Sequence, residues 1–255
     1  MSAASDSAPP PAARLMEMIT GHWVTAALHT AVRLGLPDAL QAGPLTSEDL
    51  ATKCHTHADA TYRLLRALGS HGLFEQDEQG RFALTELGRF LCADHPQSVR
   101  DLALFQGAPP HWQGWGNLIH SIRSGESAFE HVHGQGFFDY CQTDPEFSAA
   151  FNGAMTGMSA ANAEAVCQAY DFSGIQHLAD IGGGHGLLLV RILQANPHLR
   201  GTVSDLPHVV SGAQATIEAA KLGERCQTHG ADFFRDPLPA ADAFLAKHII
   251  HDWDD

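Results

Sequence analysis

The stretch that most restricts the fold of this chain is His177-Leu178-Ala179-Asp180-Ile181-Gly182-Gly183-Gly184-His185-Gly186-Leu187-Leu188-Leu189-Val190. A short apolar run ends in an acid, passes through the glycines and enters a second apolar segment. That order predicts strand, tight turn and helix, the first half of a βαβ unit. The turn needs glycine because its backbone must reach positive φ and let a ligand lie against it. A second acid, Asp205, closes the next short strand-like run about 20 residues later, where a carboxylate can grip ribose hydroxyls. A ligand bearing a nucleoside is expected.

The glycine spacing narrows the ligand. A dinucleotide fingerprint puts its third glycine three places after the second, to bring the helix under a pyrophosphate. Here the alternating glycines stand at 182, 184 and 186, and position 187 is leucine. There is also no Gly-Lys-Ser/Thr to cradle phosphates. A G-x-G-x-G loop after an acid suits a nucleoside without phosphates, such as S-adenosylmethionine. Alone, it suits a purely structural turn of another α/β fold equally well.

The segments that follow repeat the alternation. Thr202–Asp205 reads as a second strand, 207–221 as a helix, Arg225–Ala231 as a third strand and Asp242–Lys247 as a fourth. Strands alternating with helices imply a parallel sheet with ligands at the strands' carboxyl ends. Gly182, Asp205, Asp232 and His251 all fall at such ends. The expected fold class is α/β, a Rossmann-like domain of about four parallel strands over 171–255.

Ahead of it, residues 1–13, rich in Ser, Ala and Pro, are expected to form a disordered tail. From Arg14 to Leu34, apolar residues recur at helical spacing, and Gly35 ends the run. Thr46-Ser47-Glu48-Asp49 is a capped helix start; a second helix is expected over 59–70 and a hairpin over 73–84. Helix, turn, helix and hairpin outline a winged helix. Between 46 and 90 the five basic side chains (Lys53, Arg63, Arg66, Arg81, Arg89) face seven acids, so a packing module is expected rather than a DNA reader. This mainly α region is assigned 14–105, followed by a helical connection, 106–170, interrupted near Pro109-Pro110 and at the glycine-rich 134–136. Trp112 and Trp115 stand three apart on one expected helix. Phe147, Phe151 and Met155 recur at i, i+4 and i+8 on another, a stripe that suits core packing or the wall of an apolar substrate pocket.

The net charge of −14 disfavours nucleic acid and anionic membranes as partners. No apolar run approaches the ~20 residues of a membrane span, and the cytoplasm is the expected compartment. The five cysteines are scattered with no CxxC pair, and the His55/His57 and His131/His133 pairs lack a third ligand nearby. Reduced thiols and no metal are expected.

Taken together, Asp180-Ile181-Gly182-Gly183-Gly184-His185-Gly186, Ser204-Asp205-Leu206-Pro207-His208-Val209, Gly230-Ala231-Asp232-Phe233-Phe234 and Ala246-Lys247-His248-Ile249-Ile250-His251-Asp252-Trp253 make the chain resemble a known family. It is that of the S-adenosylmethionine-dependent O-methyltransferases of the plant caffeate and bacterial hydroxyneurosporene and acetylserotonin type. The resemblance implies methyl transfer from S-adenosylmethionine, leaving S-adenosylhomocysteine, to a hydroxyl of a small aromatic or other apolar acceptor. It implies that Gly182, Gly184 and Gly186 hold the methionine part and that Asp205 binds the ribose. Leu206, Asp232 and Phe233 would lie about the adenine, and Lys247 would complete the site. It further implies His251 as catalytic base, Phe147, Phe151 and Met155 facing the acceptor, and a homodimer formed through the N-terminal domain. The residue types suit the chemistry: a phenol, with a pKa of ~10, needs a base such as imidazole to remove its proton during attack. Other readings are a cofactor-binding homologue that decarboxylates or hydroxylates, and a ligand-sensing winged-helix regulator. Members of the family continue beyond the motif that carries the base, whereas this sequence stops at Asp255. A truncated chain is therefore expected, binding cofactor weakly and turning over little.

Overall fold

The computed structural model describes residues 10–253. They form two compact units, one ending at Phe147 and the other beginning at Ser148. The expected connection 106–170 is therefore shared out, its residues through 147 with the first unit and the rest with the second.

In the first unit, α1 (Pro11–Arg33) starts ahead of the expected Arg14. Proline at the first helical position has φ already set and no N–H to leave unpaired, so it opens the helix. Residues 11–13 are thus helix rather than tail, and residues 1–9 of the expected tail lie outside the described residues. Gly35, at φ 70°, turns the chain into α2 (Leu36–Ala39). Next come α3 (Ser47–Cys54) and α4 (Ala58–Gly69). The Thr46 hydroxyl accepts from the Asp49 N–H at 3.2 Å, the cap its sequence promised. Strands β1 (Phe74–Gln76) and β2 (Phe82–Leu84) pair antiparallel, with Asp77 Oδ1 accepting from the N–H groups of Gln79 and Arg81 across the turn. The core beneath this winged outline is built from Val32, Leu36, Leu50, Leu65, Leu68 and Phe82. Short helices follow: α5 (Glu86–Arg89), α6 (Arg100–Gln106), α7 (Pro109–Gly116), α8 (Leu118–Ser124), α9 (Ala128–His133) and α10 (Phe137–Thr143). The break expected near Pro109-Pro110 falls at Gly107-Ala108, between α6 and α7, and the prolines open α7 for the reason that places Pro11 in α1. The glycine break does occur, with Gly134 at φ 70° ending α9 and Gly136 preceding α10.

Helix α11 (Pro145–Ala169) carries the division within its first turn. The second unit then alternates β3 (His177–Ile181), α12 (Leu187–Ala195), β4 (Arg200–Asp205), α13 (Pro207–Val210), α14 (Ala213–Ala219), β5 (Cys226–Gly230) and β6 (Ala243–Leu245). A 3₁₀ turn covers Ile250–Asp252. The helix expected over 207–221 is two helices, α13 and α14, separated at Ser211-Gly212. All strands run parallel in the order β5-β4-β3-β6, so Asp180 lies opposite Val203 and Leu245. Central β3 and β4 are buried through most of their length, and the buried Thr202 and Ser204 hydroxyls of β4 find hydrogen-bond partners in His177 and His229. Leu188, Leu189, Ile192 and Leu193 of α12 pack with Leu178, Leu199, Val203 and Ile217 in this unit's core. Each such side chain contributes about 1.5–3 kcal/mol of burial. Among the described residues no helix is long and apolar enough to cross a membrane.

Candidate functional site

Parallel alignment brings the carboxyl ends of β3, β4 and β5 side by side, and the expected ligand-binding residues leave the sheet there. Gly182, Gly184 and Gly186 take φ values of 65°, 57° and 73°, which fold the loop back beneath the start of α12. A Cβ on Gly186 would come within 2.8 Å of a Val203 methyl, and one on Gly182 would strike the Ile249 side chain. At Gly184 a Cβ would meet nothing within 4 Å, so the open side of the loop is bare backbone.

Asp205, at the end of β4, clamps this loop. Its Oδ2 accepts from Gly184 N–H at 2.8 Å and its Oδ1 from Leu206 N–H at 2.7 Å. Each oxygen keeps a lone pair for a further donor. Burial holds the Asp205 carboxyl above its ordinary pKa, opposed by those two N–H donors. Asp180, at the end of β3, is 3% exposed. Burial and the neighbouring Asp205 charge push it up to about 7, with Lys247 pulling the other way. Lys247 leaves β6 and donates from Nζ to Ser159 Oγ at 3.2 Å; burial lowers its pKa and Asp180 raises it. Two carboxyl groups, one ammonium and an uncovered glycine loop fit a ligand with ribose hydroxyls and an amino-acid tail. They do not form the basic cluster that a polyphosphate would need.

The remaining expected residues stand as follows. Leu206 is half-buried and leads into α13. Asp232 follows β5 and organises its own turn, Oδ1 accepting from Phe234 N–H at 3.0 Å and Oδ2 lying 3.5 Å from Arg235 Nε. The Phe233 ring lies 4.6 Å from that of Phe234 and 6.2 Å from that of Trp253. His251 sits in the 3₁₀ turn after β6, its side chain 61% exposed, with Nε2 3.2 Å from Asp252 Oδ1. Its ring lies 5.2 Å from that of His248, a residue held at φ 57°.

The stripe Phe147, Phe151, Met155 lies along α11, across the division between the units. Phe147 belongs to the first unit, buried among Phe105, Phe129, Phe137 and Tyr140 with ring separations of 5.5, 6.3, 5.6 and 5.6 Å. Phe151 and Met155 are half-buried residues of the second unit. Within the first unit, Phe105, His111, Trp115, Phe129 and Phe137 line a cavity of about 270 Å³. Trp112 and Trp115 part company there: Trp112 Nε1 donates to Gln106 O at 2.8 Å and Trp115 Nε1 to His111 Nε2 at 3.1 Å. Because Trp115 only donates and the Gln106 carbonyl only accepts, His111 is the neutral tautomer with its proton on Nδ1. Burial lowers its pKa in the same sense.

Sequence reasoning missed His111, the burial of Asp180 and the partners of His185 and Lys247 on α11. Only the acid before the glycines signalled any of them.

Two family models match the chain: an O-methyltransferase dimerisation domain over residues 16–94 and an O-methyltransferase domain over 115–255. The phenazine O-methyltransferase of Lysobacter antibioticus is 38% identical over 241 residues, spanning 94% of this chain and 70% of that protein. The mitomycin biosynthesis 6-O-methyltransferase of Streptomyces lavendulae is 40% identical over 240 residues, spanning 94% and 69%. A solved O-methyltransferase from neocarzinostatin biosynthesis, bound to S-adenosylmethionine and 2-hydroxy-5-methyl naphthoic acid, superimposes with a TM-score of 0.76 at 34% identity. That match covers 91% of this chain and 71% of the other.

Proposed function

Because the chain belongs to the S-adenosylmethionine-dependent O-methyltransferases, we propose that it methylates a hydroxyl of a small aromatic acceptor, with His251 as the base. The observation that carries the reading is the Asp205 carboxylate, held against the glycine loop with lone pairs to spare. When bound, the cofactor supplies a methyl group on a sulfonium whose positive charge already activates the leaving group.

The chain's residues then have separate tasks. Gly182, Gly184 and Gly186 keep the loop backbone uncovered for the methionine part, and Asp205 accepts from the ribose hydroxyls. Leu206, Asp232 and Phe233 bound the adenine, and Lys247 supplies an ammonium near the seat. His251 takes the acceptor's hydroxyl proton, and the imidazolium so formed lies opposite the Asp252 carboxylate. Phe151 and Met155 present the apolar face of α11 to the acceptor. Alignment and deprotonation are what remain for the protein to provide.

Two further properties belong to this reading. Leu15, Met16, Met18, Ile19 and Trp23 of α1 are each more than half exposed, which favours a homodimer through the dimerisation region. Five unpaired cysteines suit the cytoplasm. The test of the base is His251→Ala, assayed by transfer of labelled methyl to a simple phenol alongside calorimetry with S-adenosylhomocysteine. Turnover should fall by ~100-fold or more while binding persists; unchanged turnover would remove His251 from the mechanism.

A further inference from the structure

Two hydroxyls on α11 receive hydrogen bonds from the two sides of the cofactor seat. Thr156 Oγ1 donates to the Asn152 carbonyl, four residues back, at 2.8 Å. Its only proton is thereby spent, so the 3.2 Å contact with His185 Nδ1 has the imidazole donating to Thr156. One turn on, Ser159 Oγ donates to the Met155 carbonyl at 2.8 Å and accepts from Lys247 Nζ at 3.2 Å. His185 is the one non-glycine within the loop 182–186, and Lys247 follows β6. The same arrangement thus occurs twice: a side chain of the seat donates to a helix hydroxyl that is fixed by its own helix backbone. Back-bonded hydroxyls of this kind tend to bend a helix, and both of these lie within one turn after Met155.

The His185 ring is wedged from the opposite side. A Cβ on Gly212 would lie 2.7 Å from His185 Cδ2, and Gly212 is the residue at which the expected 207–221 helix breaks. Gly212 has an ordinary helical φ of −70°. Its need for glycine therefore comes from the ring and not from the backbone.

We propose that Thr156 and Ser159 are positioning residues that tie α11 to the cofactor seat, so that filling the seat orders the helix face carrying Phe151 and Met155. The proposal rests on the reading that the seat takes S-adenosylmethionine. Anything that fixes the loop and Lys247 fixes His185 Nδ1 and Lys247 Nζ, and through them two points one turn apart on the helix. The acceptor-facing surface then becomes rigid only once the methyl donor is present. A net hydrogen bond corresponds to about 3- to 10-fold in a local opening equilibrium.

The test is amide hydrogen exchange of the whole chain with and without S-adenosylhomocysteine, with affinity measured separately by calorimetry. In the wild type the ligand should slow exchange of amides 152–159 by about 10-fold or more. Thr156→Val and Ser159→Ala should each remove much of that slowing, and the pair nearly all of it, while affinity changes by less than about 10-fold. Thr156→Ser should restore it. Gly212→Ala, whose new methyl would meet the His185 ring first, should reproduce Thr156→Val by displacing the ring. Binding without slowing, or slowing that survives in the double variant, overturns the link alone. If the wild type does not bind S-adenosylhomocysteine, the cofactor reading fails and the link falls with it.

Discussion

Asp180→Asn isolates the largest electrostatic strain in the second unit. The carboxyl ends β3 beneath the glycine loop, 3% exposed, and is pushed from 3.8 to about 7 by burial and by Asp205. In the unfolded chain it ionises near the ordinary value of ~3.9. Between about pH 4 and pH 7 the unfolded chain has therefore lost a proton that the folded chain keeps. Stability from this group is fully present below about pH 4, falls as pH rises and levels off above about 7. A gap of about three units, at ~1.4 kcal/mol each, amounts to about 4 kcal/mol. Asparagine keeps the shape and cannot ionise, so the difference in unfolding free energy between wild type and variant isolates this one group. Denaturant unfolding followed from pH 4 to pH 8 should show that difference moving by about 4 kcal/mol against the wild type. A difference that stays constant across this range would refute the buried-acid argument.

Other consequences follow from single contacts. Gly186→Ala must place a side chain at φ 73° and against Val203; a loss of about 3 kcal/mol is expected in denaturant unfolding. Lys247→Met removes the charge that lowers the Asp180 pKa, so the carboxyl should titrate higher still when followed by NMR. Thr46→Ala deletes the cap on α3 and should cost about 1 kcal/mol, read as a lower unfolding midpoint. Replacing exposed Met18 and Trp23 on α1 with Ser and Gln should shift a dimer towards monomer in light scattering, leaving S-adenosylhomocysteine affinity in place.

Much of the second unit was legible because its determinants are local. The loop at 182–186 needs glycines for its φ angles, and the apolar residues of β3 mark a strand buried along most of its length. The placement of Asp205 and Asp232 at strand ends follows from that alternation. What escaped depends on residues far apart in the chain. That Gly212 has no room for a side chain is set by the His185 ring, 27 positions earlier by residue number. The division at Phe147 falls inside α11, where an unbroken helical pattern gives no local sign that one end packs among the rings of the first unit. Asp180 looked like the loop's leading acid, and its burial became visible only with Leu245 and Val203 beside it.

The proposed activity requires that Asp205 and the glycine loop hold a nucleoside. Calorimetric titration of S-adenosylhomocysteine into the chain, wild type beside Asp205→Ala, measures this directly. Losing hydrogen bonds to a carboxylate should weaken binding by about 10- to 100-fold. Equal affinity in the two proteins, or none in the wild type, would contradict it.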